Sequence, residues 1–188
     1  MIPNGPADEL SAVNEMLAAV GQDPVGSLEM LPPDGNTALF VLQTTARDFQ
    51  EEGFWFNREA DYELKPDAEG RITIPSSILS IDGMEADVVE RWPYLYDRAN
   101  KTHIFTAPVL CDGIFHRTWD RIPHAARRYI TALAIEKFVD GFPGAQAVTE
   151  ARERNLLRAK VAFERAVIRN EDLNLLNNDT IATLARRS

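Results

Sequence analysis

His103, His116 and His124 are the three histidines of this 188-residue chain, and Cys111 is its one cysteine. A metal site would need two of the histidines to converge with a carboxylate such as Asp112, because zinc is held by several N, S or O ligands at once. The plainer reading puts His103 and His116 on strands and His124 in a first helical turn. Cys111 lies in the apolar run Val109-Leu-Cys111, which suits a buried, inert thiol better than a nucleophile. Carboxylates are more plentiful. Between Asp48 and Gly70 there are eight acidic residues against two basic ones, and Asp82, Glu85, Asp87 and Glu90 extend the bias. Two of them could act as acid and base of a glycoside hydrolase, set about 5–5.5 Å or about 6.5–9.5 Å apart according to stereochemistry. Charged side chains are mostly just exposed and solvated, and no pair here is marked by its spacing. The sequence contains no Gly-rich phosphate loop, Ser elbow, His-Glu-x-x-His pair or paired cysteines. The expectation is a non-enzyme without catalytic, metal or cofactor-binding residues, with a glycan hydrolase as the alternative.

Basic residues are placed more pointedly. Arg117, Arg121, Arg127 and Arg128 surround the start of the third expected helix. Cations at a helix N-terminus oppose its dipole, at roughly a few tenths of a kcal/mol each. The placement suits an outside anion or an acidic neighbour, and equally a solvated face. The acidic middle of the chain and this basic cluster could meet head to tail between identical subunits, the kind of contact that generates rings. A small nucleic-acid module using Arg117–Arg128 is a weaker idea. Phe54-Trp55-Phe56 reads as a core plug beneath a bundle. Trp92-Pro93-Tyr94 and Trp119 are either core or anchors of a subunit interface.

The elements that carry these residues follow from periodicity. A first helix is expected from about Asp8 to Val20, with Leu10, Val13, Leu17 and Val20 on one face and Gly21 as a left-handed stop. A connector rich in Pro and Gly follows. A second helix is expected to start at Asn36 as its cap, bury Leu39, Leu42, Ala46 and Phe49, and close at Gly53. A third opens at Ile122-Pro123, with Pro in the first helical position and Asp120 as cap, and carries Ala126, Tyr129, Ile130, Leu133, Ala134 and Phe138. The stop Asp140-Gly-Phe-Pro-Gly144 ends it. A fourth runs from about Ala145 to Arg169 or beyond. It carries Val148, Ala151, Leu157, Val161 and Ile168 on one side, with Leu156, Ala159, Phe163 and Val167 beside them. So broad a stripe requires partners from the chain or from another subunit. Between the helical pairs, short runs at 71–75, 78–81, 88–89, 95–96, 103–105, 109–111 and 114–116 read as strands. Asp82-Gly83, 98–101 and Asp112-Gly113 read as the turns between them.

The fold class is therefore α+β: a four-helix bundle of two N-terminal and two longer C-terminal helices (7–53 and 120–173), an inserted antiparallel β region (54–119), and an extended tail (174–188). One domain fits the length. The composition is 45% hydrophobic and 26% charged, ordinary for a globular protein. No apolar run approaches the ~20 residues that span a membrane, and no signal peptide is expected from the opening residues. A lone cysteine fits a reducing cytoplasm. A net charge of −9 argues against non-specific nucleic-acid binding.

Several stretches resemble one family in order along the chain. These are Glu9-Leu-Ser-Ala-Val-Asn-Glu-Met-Leu-Ala-Ala-Val-Gly21 with Pro24-Val-Gly-Ser-Leu-Glu29, Gly53-Phe-Trp-Phe-Asn57, Leu95-Tyr-Asp-Arg98, Trp119-Asp-Arg-Ile-Pro123, Phe142-Pro-Gly144 and Asn174-Leu-Leu-Asn-Asn-Asp179. Together they resemble the tail tubular protein A family, the head-to-tail adaptors or gatekeepers of podovirus-type short-tailed phages. The resemblance spans nearly the whole chain and is loosest from Tyr62 to Gly113. It implies a virion tail protein, assembled in the host cytoplasm, that forms a ring, typically a dodecamer, below the portal protein. On its other side the ring would receive the tail nozzle, tail tubular protein B, and genomic DNA would pass through its channel without sequence-specific binding. It implies no cofactor and no membrane. Some members have been suggested to act on bacterial polysaccharide. On this reading Arg117, Arg121, Arg127, Arg128, Arg152, Arg154, Arg158, Lys160, Arg165 and Arg169 are available for subunit or portal contacts. Leu175, Leu176, Ile181 and Leu184 would anchor the tail.

Overall fold

The computed structural model describes residues 8–82, 84, 87–142 and 149–176, with backbone alone at 149 and 171–176. It is α+β, with four helices and small antiparallel sheets. The chain divides into two compact units, Met1–Phe49 with Thr118–Ser188, and Gln50–Arg117.

The first unit is helical. Helix α1, Glu9–Ala19, begins because the Asp8 carboxylate accepts the Ser11 N–H at 2.6 Å, and Glu9 complements the positive end. It stops at Gly21, whose φ of 77° is left-handed. There the Gln22 N–H reaches the Leu17 carbonyl and the Gly21 N–H reaches that of Ala18, the Schellman arrangement. The buried face is Ala12, Val13, Met16 and Leu17. It is rotated from the expected one, leaving Leu10 and Val20 half-buried. Asn14 then pins the connector: its amide donates to the Val25 carbonyl at 3.0 Å and its oxygen accepts the Val25 N–H at 2.7 Å.

Helix α2, Pro33–Gln50, starts three residues before the expected Asn36. Pro33 takes the first helical position, where a missing N–H is harmless. Asn36 is inside the first turn, donating back to the Leu31 and Pro32 carbonyls. At 18 residues α2 is longer than α3, so the N-terminal helices are not uniformly the shorter pair. Helix α3, His124–Asp140, is not capped by Asp120. That residue lies in the 3-10 turn Trp119–Arg121, and the cap position falls to Pro123, without a side-chain bond. Helix α4, Thr149–Leu176, is about 42 Å long at ~1.5 Å per residue. Residues 174–176, expected to be extended tail, continue it; the rest of the tail and residues 145–148 lie outside the described residues. The unit's core includes Leu42, Phe49, Trp119, Ile130, Phe138 and Phe163. Phe49 meets Tyr129 and Phe163 edge-on, at 5.7 and 5.1 Å between centroids. Lys137 pairs with Asp48 at 3.1 Å, and Gln43 donates to Glu9.

The second unit is β-rich. Strands β1 (Arg58–Leu64), β5 (Val109–Phe115) and β2 (Ile78–Asp82) form an antiparallel sheet in the order β1-β5-β2. Strands β3 (Val88–Arg91) and β4 (Tyr94–Asp97) form a separate hairpin. Residue Asp61, at φ 52°, sits where β1 bulges between Glu59 and Tyr62, and β2 shifts register between Ile78 and Ser80. The runs at 71–75 and 103–105 form isolated bridges rather than full strands. Asp112-Gly113 is not a turn: β5 passes straight through it. A core of Leu64, Ile72, Ile74, Ile81, Leu95, Cys111 and Phe115 holds the unit together.

Candidate functional site

The residues that could do catalytic chemistry do not assemble. Among the described residues no three His, Cys, Asp or Glu groups could hold a metal ion. His103 packs against Tyr96 and bonds the Leu95 carbonyl through Nδ1 at 2.9 Å. His124 opens α3, and His116 follows β5. Cys111 is buried, and burial, then the charges of Asp112 and Glu90, push its thiol up. Asp97 is half-buried at the end of β4, and N–H donation from Asn100 holds its carboxyl below the usual range, opposite to what a glycosidase acid needs. No described helix is long and apolar enough to cross a membrane.

The arginines read as a cluster at the start of α3 have separate surroundings. Arg117 belongs to the β unit, where its guanidinium pairs with Glu59 and bonds the Phe56 carbonyl. Arg128 pairs with Glu15 at 3.6 Å, Arg121 is exposed, and the Arg127 Nε is enclosed without an acceptor among the described residues. Phe54, Trp55 and Phe56 are half-buried and pack on one another; the fully buried residue of that stretch is Asn57. Trp119 is core, whereas Trp92 is 65% exposed.

Helix α4 has two opposite apolar faces. Phe163 and Ala166 are buried, with Leu156, Ala159 and Val167 half-buried on the same side by helical spacing. Leu157, Val161 and Ile168, spaced four and seven apart, lie on the other. Leu157 is 61% and Ile168 57% exposed. Two shallow grooves run along this face and share Ala162 and Arg165; Arg158 and Arg169 complete them. Across residues 150–170 there are six basic residues against three acidic ones, in a chain with 20 basic and 29 acidic. Arg154, Arg158 and Arg165 form no ion pair among the described residues. Glu153 and Glu164 lie on this open side too by helical spacing, and Lys160 is 3.9 Å from Glu164. The sequence reading joined these residues in one broad stripe, which the structure divides into a buried face and an open one.

Residues 10–173 match the family model described as Tube, tail tubular protein. The chain belongs to the tail tubular protein family. It is also 27% identical over 124 residues to tail tubular protein A of Klebsiella phage KP34, across 65% of this chain. The matched segment spans 66% of that relative's length, just under two thirds. For a tail tubular protein the role is structural, in a phage tail, and an assembly surface is the site to expect.

Proposed function

We propose that this tail tubular protein is the head-to-tail adaptor, a dodecameric ring that joins the capsid portal to the tail nozzle and forms part of the DNA channel. The family match over residues 10–173 carries the reading. The whole chain acts as one adaptor domain: a four-helix bundle from 7–53 and 120–173, an insertion at 54–119, and a tail at 174–188. Arg117, Arg121, Arg127, Arg128, Arg154, Arg158, Arg165 and Arg169 serve subunit or portal contacts, and Leu175, Leu176, Ile181 and Leu184 fasten the tail. The chain's acidic balance suits a DNA conduit, because a negative wall repels phosphate instead of trapping it.

The test is the mass of the purified protein, alone and mixed with portal rings. A closed ring, or a monomer that becomes a stoichiometric ring on the portal, supports the proposal. A monomer indifferent to portal rings sinks it. Deleting residues 177–188 spares α4 and should weaken portal docking while leaving the fold.

A further inference from the structure

Asp97 stands on the inward side of its hairpin. It follows Leu95 by two residues on β4 and lies opposite Val88 on β3, so it shares their face, and both are buried. The carboxylate there is half-buried where the pattern calls for an apolar residue. It borders an open groove of about 360 Å³ lined by the 97–102 turn, the 104–109 segment and Val88. Val88, Ile104, Phe105 and Val109 supply apolar surface, and Asp97 is the one charged residue in the described lining. Arg98 and Lys101 of the same turn are exposed and do not line it.

The turn uses only part of the carboxylate. One oxygen accepts the Asn100 N–H at 2.9 Å and the other its side-chain amide at 2.7 Å. A carboxylate has about four lone-pair sites, so both oxygens can accept again. Asp97 forms no ion pair among the described residues. Donation from Asn100 lowers its pKa, which keeps it charged at neutral pH. Among the described residues no three His, Cys, Asp or Glu groups could hold a metal ion, so the fitting counter-ion is organic. Two oxygens with accepting capacity match the planar fork of a guanidinium better than the point charge of an ammonium. An arginine also carries an apolar stem, which suits the walls. Ile104 is 51% exposed, with Thr106, Ala107 and Pro108 exposed beside it. A free small ligand usually buries most of its surface, which so open a groove does not allow. A side chain carried by a protein brings its own backbone to cover that rim.

We propose that the groove beside Asp97 receives an arginine side chain of a partner protein, with the guanidinium on the carboxylate and the stem along Phe105 and Val109. This does not rest on the ring reading and adds a contact to it.

An amide-resolved NMR titration of the full chain with the peptide acetyl-Ala-Ala-Arg-Ala-Ala-amide tests it. Saturable shifts are expected at Asn100, Thr102 and residues 104–109, with millimolar affinity, because one exposed ion pair is a weak anchor. The same peptide with citrulline for arginine is neutral and nearly isosteric, and should bind at least ten-fold more weakly. Asp97→Asn should weaken binding of the arginine peptide as much. Ala107→Trp, which leaves the turn bonds in place, should fill the groove and do the same, and circular dichroism of both variants checks the fold. No saturable shift with the arginine peptide, equal binding of the citrulline peptide, or undiminished binding by either folded variant overturns the proposal. Binding of free N-acetyl-arginine amide without binding of the peptide overturns the protein occupant. None of these outcomes bears on whether the chain forms a ring, which the mass measurement decides.

Discussion

Gln50 holds the backbone of Arg117 from both sides: its side-chain oxygen accepts the Arg117 N–H at 2.7 Å, and its amide donates to the Arg117 carbonyl at 3.2 Å. The two residues are the first and last of the β unit. Asn57, fully buried, adds bonds to the Gln50 and Phe115 carbonyls and accepts the Phe54 N–H. Asn57→Ala should strand these backbone groups at about 1–3 kcal/mol each. Amide hydrogen exchange at Phe115 would then be faster by at least ten-fold, and unchanged exchange would argue against the clamp.

Gly53 and Gly21 both have positive φ, yet they should respond differently to alanine. A Cβ at Gly53 would lie 2.6 Å from Ile114 Cδ1, whereas nothing lies within 4 Å at Gly21. Gly21→Ala is expected to lose about 1–2 kcal/mol, from the left-handed backbone alone. Gly53→Ala should lose more, roughly 2–4 kcal/mol once overpacking is added. Combining it with Ile114→Val removes the clashing methyl and should recover part of the loss. Urea unfolding of the three variants gives the comparison.

Phe163 is the main apolar anchor of α4 within its own unit. It is buried and meets both Phe49 and Tyr129. Phe163→Ala should destabilise the helical unit by about 3–5 kcal/mol. By contrast, Leu157→Ala, on the open face, should change monomer stability by less than about 0.5 kcal/mol. Thermal melts of the dilute protein separate the two.

The Asp97 carboxylate closes the 97–102 turn by accepting the Asn100 N–H and side-chain amide at 2.9 and 2.7 Å. Its folded-state pKa is lowered, so the stabilisation is present above the unfolded value and lost as pH falls through the folded one. A carbon-detected NMR titration should place Asp97 below the ordinary aspartate value of about 3.9. The Asn100 amide should shift in step, and Asp97→Asn should remove that pH dependence.

What could be read from sequence depended on how local the cause was. Asp8 and Gly21 act within one turn of α1, and both ends of that helix were legible. The start of α2 was missed because Asn36 looks like a cap, while Pro33 fits the first turn as well. Strand β1, Arg-Glu-Ala-Asp-Tyr-Glu-Leu, was not legible: only Leu64 is fully buried, so no alternation shows. Asp112-Gly113 resembles a hairpin turn, but its glycine serves a different need. A Cβ at Gly113 would lie 2.7 Å from the Phe115 ring, so the strand requires glycine for packing. For α4, the apolar residues were visible as one broad stripe, not as two faces. Which one turned inward was decided by Phe49 and Tyr129, distant in sequence from Phe163.

The bulge at Asp61 and the register shift in β2 lie on the two outer strands of the same sheet. Regular outer strands would offer rows of unpaired N–H and C=O groups, a template for adding strands from other molecules. Kinked ones recruit poorly. For a protein that has to assemble with others, strand addition would be a competing off-pathway contact. The irregular edges close that route, leaving side-chain surfaces, which can discriminate between partners, to decide what joins the chain.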